Sequence, residues 1–291
     1  MNQTQETVHQ YDWLEQLRAP VEPVRTELPE AAPRTIGELW VTRSLTGGVG
    51  RSSVALNLAF EAAKQGSRVC LIDLDSQAPA LQLLLNLPQA KTAVPAAVRL
   101  VAQQRLDKAG LESLLVEVAS RHSQVHFLGG GASGSSQLDL EALEVLLHLL
   151  LGRYDLVVAD TAPGVATELH RLLGRLAQRQ FLVVPAEPLG LSALLSPSAS
   201  DPSLKSAAVL FNRVRPAVLG GNPQAQLQQL LRDHTSLPIA AYLPLEQEIF
   251  DLAQQRGVPI RSINGRSKAL SALTALLGGR DRSVTRRQGR R

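Results

Sequence analysis

A glycine-rich segment in the first quarter of the chain carries the residue types best suited to chemistry: Ser44-Leu45-Thr46-Gly47-Gly48-Val49-Gly50-Arg51-Ser52-Ser53. A strand-like segment, 38–44, precedes it, and apolar residues recur at helical spacing after it. Glycines let the backbone turn its N–H groups inward, and the N-terminus of the following helix adds partial positive charge. The segment therefore predicts a loop that holds a phosphate group, although a glycine loop that only turns the chain would have the same composition.

The segment departs at two positions from the standard phosphate-binding loop, G-x-x-x-x-G-K-[ST]. Leu45 stands where the first glycine is expected, and Arg51 stands where the lysine is expected. Ser52 keeps the hydroxyl that such loops place on a magnesium ion. Arg51 retains a positive charge, but its planar guanidinium is bulkier than the compact ammonium of lysine. We therefore expect the loop to bind phosphate groups while leaving them under-neutralised.

Carboxylates follow two further strand-like segments. The apolar run 69–72 is followed by Asp73 and Asp75, and the segment 154–159 ends in Asp160. The carboxyl ends of parallel strands meet at the edge where α/β sheets bind ligands. Asp160 is thus predicted to hold Mg²⁺ directly or through water. For Asp73 and Asp75 the sequence leaves a second interpretation open, in which the two acids cap the next helix.

Taken together, these motifs resemble the ParA/MinD family of P-loop ATPases over residues 36–278. The glycine loop is similar to the family's deviant motif K-G-G-x-G-K-[ST]-T, with Thr46 at its signature lysine and Arg51 at its second lysine. The family motifs D-x-D-x-Q and D-x-x-P-G/A match from Asp73 and from Asp160. The resemblance implies an α/β fold with a doubly wound, mostly parallel sheet and helices on both faces. It also implies ATP and Mg²⁺ as ligands and a nucleotide-dependent homodimer.

The resemblance also implies roles for individual residues. Asp75 corresponds to the residue that orients the attacking water, and Arg51 would supply charge for catalysis. Asn212 follows the strand-like segment 207–211 and corresponds to the residue that hydrogen-bonds adenine, unless it only forms a turn. The nucleotide-binding set is Thr46, Gly47, Gly48, Val49, Gly50, Arg51, Ser52, Ser53 and Asn212. The metal-binding set is Ser52, Asp73 and Asp160.

Within that family the lysine-poor loop looks most like the pilus-assembly and secretion branch (CpaE/TadZ-like), with the cellulose-operon branch (BcsQ-like) second. We expect weak or absent hydrolysis, because Thr46 supplies no charge and the Arg51 fork is a poor substitute for lysine. The predicted function is a degenerate ATP-binding protein that positions or assembles a surface machine of pilus or secretion type, with a protein of that machine as its partner. The alternative is an active ATPase switch for DNA partitioning or cellulose secretion.

Composition bounds the rest of the chain. With 291 residues, 44% apolar and 3% aromatic, it predicts one large domain, 35–278, with a core of Leu, Val and Ala. A single cysteine and the lack of a membrane-length apolar run predict a cytoplasmic protein, with peripheral contact at the inner membrane face left open. Prolines predict a disordered or loosely docked leader over 1–34. The tail, 279–291, carries six arginines and one aspartate, and we expect any attraction to nucleic acid or anionic membrane to be weak.

Hydrophobic periodicity sets the order of the elements. After the first carboxylate motif the sequence predicts three helices, over 80–85, around 93–103 and over 108–119. A strand over 123–128 then leads through the glycine run 129–134, read as a flexible connection, into a leucine-rich helix. That helix and the later elements are predicted over 138–151 (helix), 180–184, 207–211 and 239–242 (strands) and 267–277 (helix).

Overall fold

An eight-stranded sheet runs through the computed structural model, which describes residues 36–88, 94–130, 138–165, 167–219 and 222–279. The strands, in chain order, are β1 (Glu38–Arg43), β2 (Val69–Leu74), β3 (Val116–Ala119), β4 (Gln124–Leu128), β5 (Leu156–Thr161), β6 (Arg179–Pro185), β7 (Ala207–Val214) and β8 (Ile239–Pro244). Their order in space is β3-β4-β2-β5-β1-β6-β7-β8. Every neighbouring pair is parallel except β3 and β4. The predicted doubly wound, mostly parallel sheet is confirmed.

Helices connect these strands. They are α1 (Arg51–Lys64), α2 (Leu81–Leu84), α3 (Val94–Ala102), α4 (Lys108–Leu114), α5 (Leu140–Arg153), α6 (Glu168–Leu176), α7 (Pro188–Leu194), α8 (Pro216–Leu219), α9 (Pro223–His234), α10 (Gln247–Arg256), α11 (Ile260–Ile263) and α12 (Lys268–Leu276). Short 3₁₀ turns lie at Pro197–Ser200, Pro202–Leu204 and Leu277–Gly279. Within the described ranges, none of these helices has both the length and the apolar character needed to cross a bilayer.

The two faces of the sheet bury separate apolar clusters. Along β1, Trp40 packs into a cluster with side chains of α1 and α12, such as Leu58 and Leu273. Its neighbours Leu39 and Val41 point the other way and pack with α3, α5 and α6. Successive side chains of a strand alternate between faces, so a strand covered on both sides reads as a continuous apolar run. The helices therefore lie on both faces, as the resemblance implied.

Helix α1, which begins directly after the glycine loop, is held in place by buried polar contacts. The carboxylate of Glu61 is 1% exposed and accepts hydrogen bonds from Arg261 Nε (2.5 Å) and Thr274 Oγ1 (2.8 Å). One turn earlier, Asn57 Oδ1 accepts from the backbone N–H of Ile260 (2.9 Å). These bonds link α1 to α11 and α12, so the N-terminal end of α1 has a fixed position at the edge of the sheet.

One element prediction is wrong. The segment 108–119 was predicted as a single helix, but α4 ends at Leu114 and Val116–Ala119 forms strand β3, antiparallel to β4. Val116 and Val118 alternate with more polar neighbours, which is the period of a strand, and Val118 lies opposite Val125. A strand of four residues offers too short a pattern to outweigh the helical signal before it, and its stability comes from pairing with β4.

The other predicted helices and strands agree with the described elements to within a few residues. The predicted leader (1–34), almost all of the predicted tail (280–291) and most of the glycine run (131–134) lie outside the described residues. The predictions made for those segments stay predictions.

Candidate functional site

The glycine loop joins the carboxyl end of β1 to the N-terminus of α1. Gly48 and Gly50 have φ values of +71° and +88°, a backbone region that residues with a side chain rarely adopt. A Cβ at Gly50 would lie 2.4 Å from Asn212 Nδ2, so any other residue there would have to displace the Asn212 side chain. Gly50 is also the N-cap of the fourteen-residue helix α1, and no side chain caps that end. The first amides of α1 are thus left for an anion rather than for a capping side chain.

Residues at the end of β7 hold the loop from the other side. Asn212 Nδ2 donates to the carbonyl of Val49 (2.8 Å), and Arg213 Nη2 donates to the carbonyl of Gly48 (2.7 Å). Asn212 Oδ1 accepts from the backbone N–H of Arg213 (2.9 Å). Asn212 therefore lies beside the loop, and its amide already serves to position the loop. Its contact with adenine stays a prediction.

Arg51, the first residue of α1, turns its guanidinium towards two carboxylates. Its Nε donates to Asp160 Oδ1 (2.7 Å) and its Nη2 donates to Asp75 Oδ2 (2.9 Å). Nη1 donates to Ser44 Oγ (3.2 Å), and the residue is only 8% exposed. The structure brings together Arg51, Asp75 and Asp160. The guanidinium of Arg51 pairs with these two acids, whereas the resemblance implied charge for the phosphates.

Asp160 is the next-to-last residue of β5 and is completely buried. Its Oδ1 also accepts from Thr42 Oγ1 (3.0 Å), while its Oδ2 is buried without a hydrogen-bond partner. Burial raises the pKa of this carboxyl above its usual range, and the charge of Arg51 with hydrogen bonds from Ser52 and Thr42 acts in the opposite direction. Asp160 thus depends on Arg51 for compensation of its charge.

The other two acids are tied to the backbone. Asp73 Oδ1 accepts from the N–H of Asp75 (3.0 Å), and its Oδ2 accepts from the N–H of Leu81, the first residue of α2 (3.1 Å). Burial, and next the neighbouring charge of Asp160, raise the pKa of Asp73 to about 7. Asp75 Oδ1 accepts from the N–H groups of Gln77 (3.1 Å) and Ala78 (2.9 Å). These contacts favour the helix-capping interpretation for Asp73.

The predicted metal-binding set does not fit Mg²⁺ as it is arranged. Mg²⁺ requires near-octahedral oxygen ligands and keeps several waters. Both oxygens of Asp73 accept from backbone amides, Asp160 Oδ1 accepts from Arg51 and Thr42, and Asp160 Oδ2 is buried away from solvent. Within the described ranges, no group of three or more His, Cys, Asp or Glu side chains is arranged to hold a metal. The assignment of Ser52, Asp73 and Asp160 to a metal stays a prediction that these contacts do not favour.

A cavity of about 410 Å³ opens beside the loop. Gly50 and Ser53 line it on the loop side, Asn212 and Arg213 line it at the end of β7, and Phe250 of α10 lines it opposite. Cavities of this size bind small ligands. Its walls combine one aromatic ring with polar and charged groups, and it adjoins the free amides at the start of α1.

Two buried ionisable residues near the loop escaped the sequence analysis. Arg43, at the end of β1, is fully buried and donates from Nη1 to the carbonyl of Ser203 (2.7 Å) and to Gln180 Oε1 (3.1 Å). Burial lowers the pKa of Arg43 to about 10. His170, on α6, is 1% exposed, with Nδ1 2.9 Å from Thr167 Oγ1. No motif marks either residue; the only signal is a charged or polar residue inside an apolar segment.

Burial of His170 predicts a loss of stability in acid. Desolvation, with the nearby positive charge of Arg43, lowers its pKa from 6.5 to about 4. In this pH range the unfolded chain therefore binds a proton that the folded chain does not bind. The free energy of unfolding falls as the pH falls from 6.5 towards 4, by up to about 3 kcal/mol. His170→Gln cannot titrate, so urea unfolding at several pH values should show a shallower loss for this variant. Equal slopes for variant and wild type would contradict the prediction.

The class of protein follows from the position of the loop: a glycine turn at a helix N-terminus, on the carboxyl edge of a parallel sheet, defines a nucleotide-binding α/β domain of P-loop type. The profile of the CobQ/CobB/MinD/ParA nucleotide binding domain matches residues 40–260, and the chain belongs to this family. The family prediction is thereby confirmed, whereas the assignment to a branch within it is not tested.

Individual relatives agree with this assignment. A septum site-determining protein MinD of Guillardia theta is 26% identical over 226 residues, which cover 76% of this chain and 79% of that protein. Among solved structures, a ParA family ATPase from Chlorobium tepidum superposes with a TM-score of 0.68 at 16% identity, covering 82% of this chain and 98% of that one. MinD from Pyrococcus horikoshii, solved with Mg-ADP, gives 0.63 at 20% identity, covering 84% and 98%. The two structures show the shared fold.

Proposed function

We propose that the chain binds ATP through residues 47–53 and acts as a positioning or assembly factor with little or no hydrolysis. The observation that carries this proposal is a glycine loop at a helix N-terminus whose one cation, Arg51, hydrogen-bonds to Asp75 and Asp160. Gly50 has a positive φ that residues with a side chain rarely adopt, and α1 begins without a side-chain cap. The loop supports phosphate binding, and the contacts of Arg51 with two acids support weak hydrolysis.

In this proposal the phosphates lie at the N-terminus of α1, held by loop amides and by the hydroxyls of Ser52 and Ser53. The cavity beside the loop takes the nucleoside, with Asn212 and Arg213 at its wall. The related MinD structure that contains Mg-ADP supports a nucleotide as the ligand, because the fold is shared. Mg²⁺ is not part of the proposed function, because the carboxylates that would hold it already accept hydrogen bonds from protein groups.

Weak hydrolysis follows from the contacts of Asp75 and Arg51. Asp75 is the residue that would orient the attacking water, but its Oδ2 accepts from Arg51 and its Oδ1 accepts from two backbone amides. Thr46, in place of the signature lysine, carries no charge. Phosphoryl transfer depends on positioning and on neutralising charge, and one arginine finger alone is worth about 10³–10⁵ in rate. A site that lacks these elements retains binding and loses turnover.

The cellular role is proposed from the family. The relative from Guillardia theta is named for determining a septum site, and this chain is proposed to mark or assemble a site in the same manner. The partner would be a protein of a pilus or secretion machine, the chain would act as a nucleotide-dependent homodimer, and its place would be the cytoplasm or the inner membrane face. An active ATPase switch is the competing function, and turnover distinguishes the two.

Restoring both lysines should restore hydrolysis. In Thr46→Lys/Arg51→Lys the loop regains two compact ammonium groups, and Asp75 and Asp160 lose the fork that bridges them. We expect the ATPase rate of the double variant to exceed that of the wild type roughly 100-fold, a part of what a single transition-state cation supplies. A phosphate-release assay measures the rate, with Arg68→Lys, at the solvent-exposed pair with Asp155, as the control for an arginine-to-lysine change. Measurable wild-type turnover as fast as that of the double variant would favour the active ATPase switch instead.

A further inference from the structure

We propose that the Arg51 guanidinium replaces the divalent cation of this site, so that the chain binds nucleotide phosphates without Mg²⁺. The inference rests on the proposed ATP binding and goes beyond it, since it assigns the counter-charge of the site to a side chain. Asp75, after β2, and Asp160, in β5, are both buried, and buried carboxylates need positive charge beside them. Here that charge belongs to the chain.

The guanidinium of Arg51 lies between the carboxylates of Asp75 and Asp160. Nε of Arg51 is 2.7 Å from Asp160 Oδ1, and Nη2 is 2.9 Å from Asp75 Oδ2. The guanidinium thus bridges two carboxylates that come from different strand ends, 24 and 109 positions further along the sequence. A planar fork with donors on both sides suits such a bridge, and a lysine ammonium does not span it in the same way. One fixed positive charge lies where a cation would otherwise link these two acids.

The bridge of Arg51 between Asp75 and Asp160 leaves no room for a hydrated metal ion. Asp160 and its Oδ2 are buried, so no water-carrying ion reaches that oxygen from solvent. Its Oδ1 already has two donors, Arg51 Nε and Thr42 Oγ1. Mg²⁺ would have to displace Arg51, and that would leave a buried guanidinium beside a divalent cation. Removing one partner of a buried ion pair is strongly unfavourable, so the arginine keeps its place.

When a triphosphate binds without a metal, the attraction for its negative charge must come from the protein. The cavity beside the loop is lined by Arg213 and Arg215, whose side chains are 40% and 39% exposed. Both approach the single carboxylate of Glu187, at 3.8 and 3.4 Å, and Glu246 and Asp251 also line the cavity, so its charged side chains carry no net positive charge. Loop amides and the N-terminus of α1 add their partial charges. The loop amides and the helix N-terminus therefore supply the attraction for phosphate oxygens that does not depend on a metal.

Equilibrium binding in the presence and absence of metal tests the inference. The full-length chain is titrated with an N-methylanthraniloyl derivative of ATP, once in excess EDTA and once in excess Mg²⁺. We expect wild-type dissociation constants that differ less than threefold between the two buffers. Arg51→Lys opens the bridge and should bind at least tenfold more tightly with Mg²⁺ than with EDTA. Arg68→Lys, an arginine-to-lysine change at the surface pair with Asp155, should behave as the wild type.

The outcomes separate this inference from the function on which it rests. Wild-type binding that requires Mg²⁺ overturns the inference and leaves ATP binding intact. Saturable binding in EDTA, equal to that in Mg²⁺, supports it. Absence of binding in both buffers overturns the proposed function and the inference with it. Circular dichroism and thermal unfolding establish that Arg51→Lys is folded, and the wild-type comparison decides alone if it is not.

Discussion

Replacing Gly50 with alanine is expected to weaken ATP binding at least tenfold. The backbone at Gly50 has φ +88°, and a Cβ there would lie 2.4 Å from Asn212 Nδ2. The new methyl group must push Asn212 away from the carbonyl of Val49, which that amide holds at 2.8 Å. The loop then loses both its conformation and its anchor, and amides aimed at phosphate lose their common direction. Calorimetric titration of ATP into the variant measures the effect.

Gly66→Ala provides the matched control. Gly66 also has a positive φ, +91°, but no atom lies within 4 Å of the added Cβ. It lies after the far end of α1, so its substitution introduces the same backbone strain, about 1 kcal/mol, without touching the loop. We expect Gly66→Ala to lower stability slightly and to keep wild-type affinity for ATP. Equal affinities in Gly50→Ala and Gly66→Ala would contradict the role given to the glycine loop.

Removing the charge of Arg51 is expected to cost about 3–5 kcal/mol of folding free energy, the range for breaking a buried ion pair from one side. Arg51→Met leaves Asp75 and Asp160 buried without their counter-charge. Because burial already raises the pKa of Asp160 even with Arg51 present, loss of that arginine raises it further. When the pKa of a carboxyl is higher in the folded chain than in the unfolded chain, protonation favours the folded state. The loss of folding free energy in the variant should therefore shrink as the pH falls. Urea unfolding at pH 8 and pH 5 measures both effects.

The control for this change is Arg68→Met. Arg68 also pairs with an aspartate, Asp155, but the arginine side chain is 53% exposed. Solvent-screened pairs contribute about 0–1 kcal/mol, so we expect a small loss that varies little with pH in this variant. A cost for Arg51→Met no greater than that for Arg68→Met would show that the bridge between Asp75 and Asp160 does not stabilise the fold.

The fold was largely predictable because its signals are local. Runs such as Val69–Leu74 and Leu156–Thr161 are buried along their whole length, and continuous apolar runs between helical patterns are typical of a parallel sheet. The glycine loop and Asp160 were found in the same way, from short motifs at the ends of such runs. Strand β3 was missed because four residues form a strand only by pairing with β4, and that pairing is not visible in the local sequence.

The direction of a buried side chain was not predictable. The sequence predicted that Arg51 contacts phosphate, because the lysine at this position of the standard motif contacts phosphate. Its actual partners lie far along the chain, and only the packing of β2 and β5 against the start of α1 brings them within 3 Å of its guanidinium. Arg43 and His170 escaped for a related reason, since their burial results from tertiary packing. The chemistry of the site therefore depends on contacts that motifs do not encode.

Binding of ATP to the wild-type chain is the most direct test of the proposed function. Calorimetric titration of ATP into the full-length protein should give one saturable site per chain, with a dissociation constant between about 1 μM and 1 mM, the span in which most substrates bind their enzymes. The unfolding temperature should also rise in millimolar ATP, because a ligand that binds the folded state stabilises it. A titration without heat of binding, together with an unchanged unfolding temperature, would contradict the conclusion that this loop holds a nucleotide.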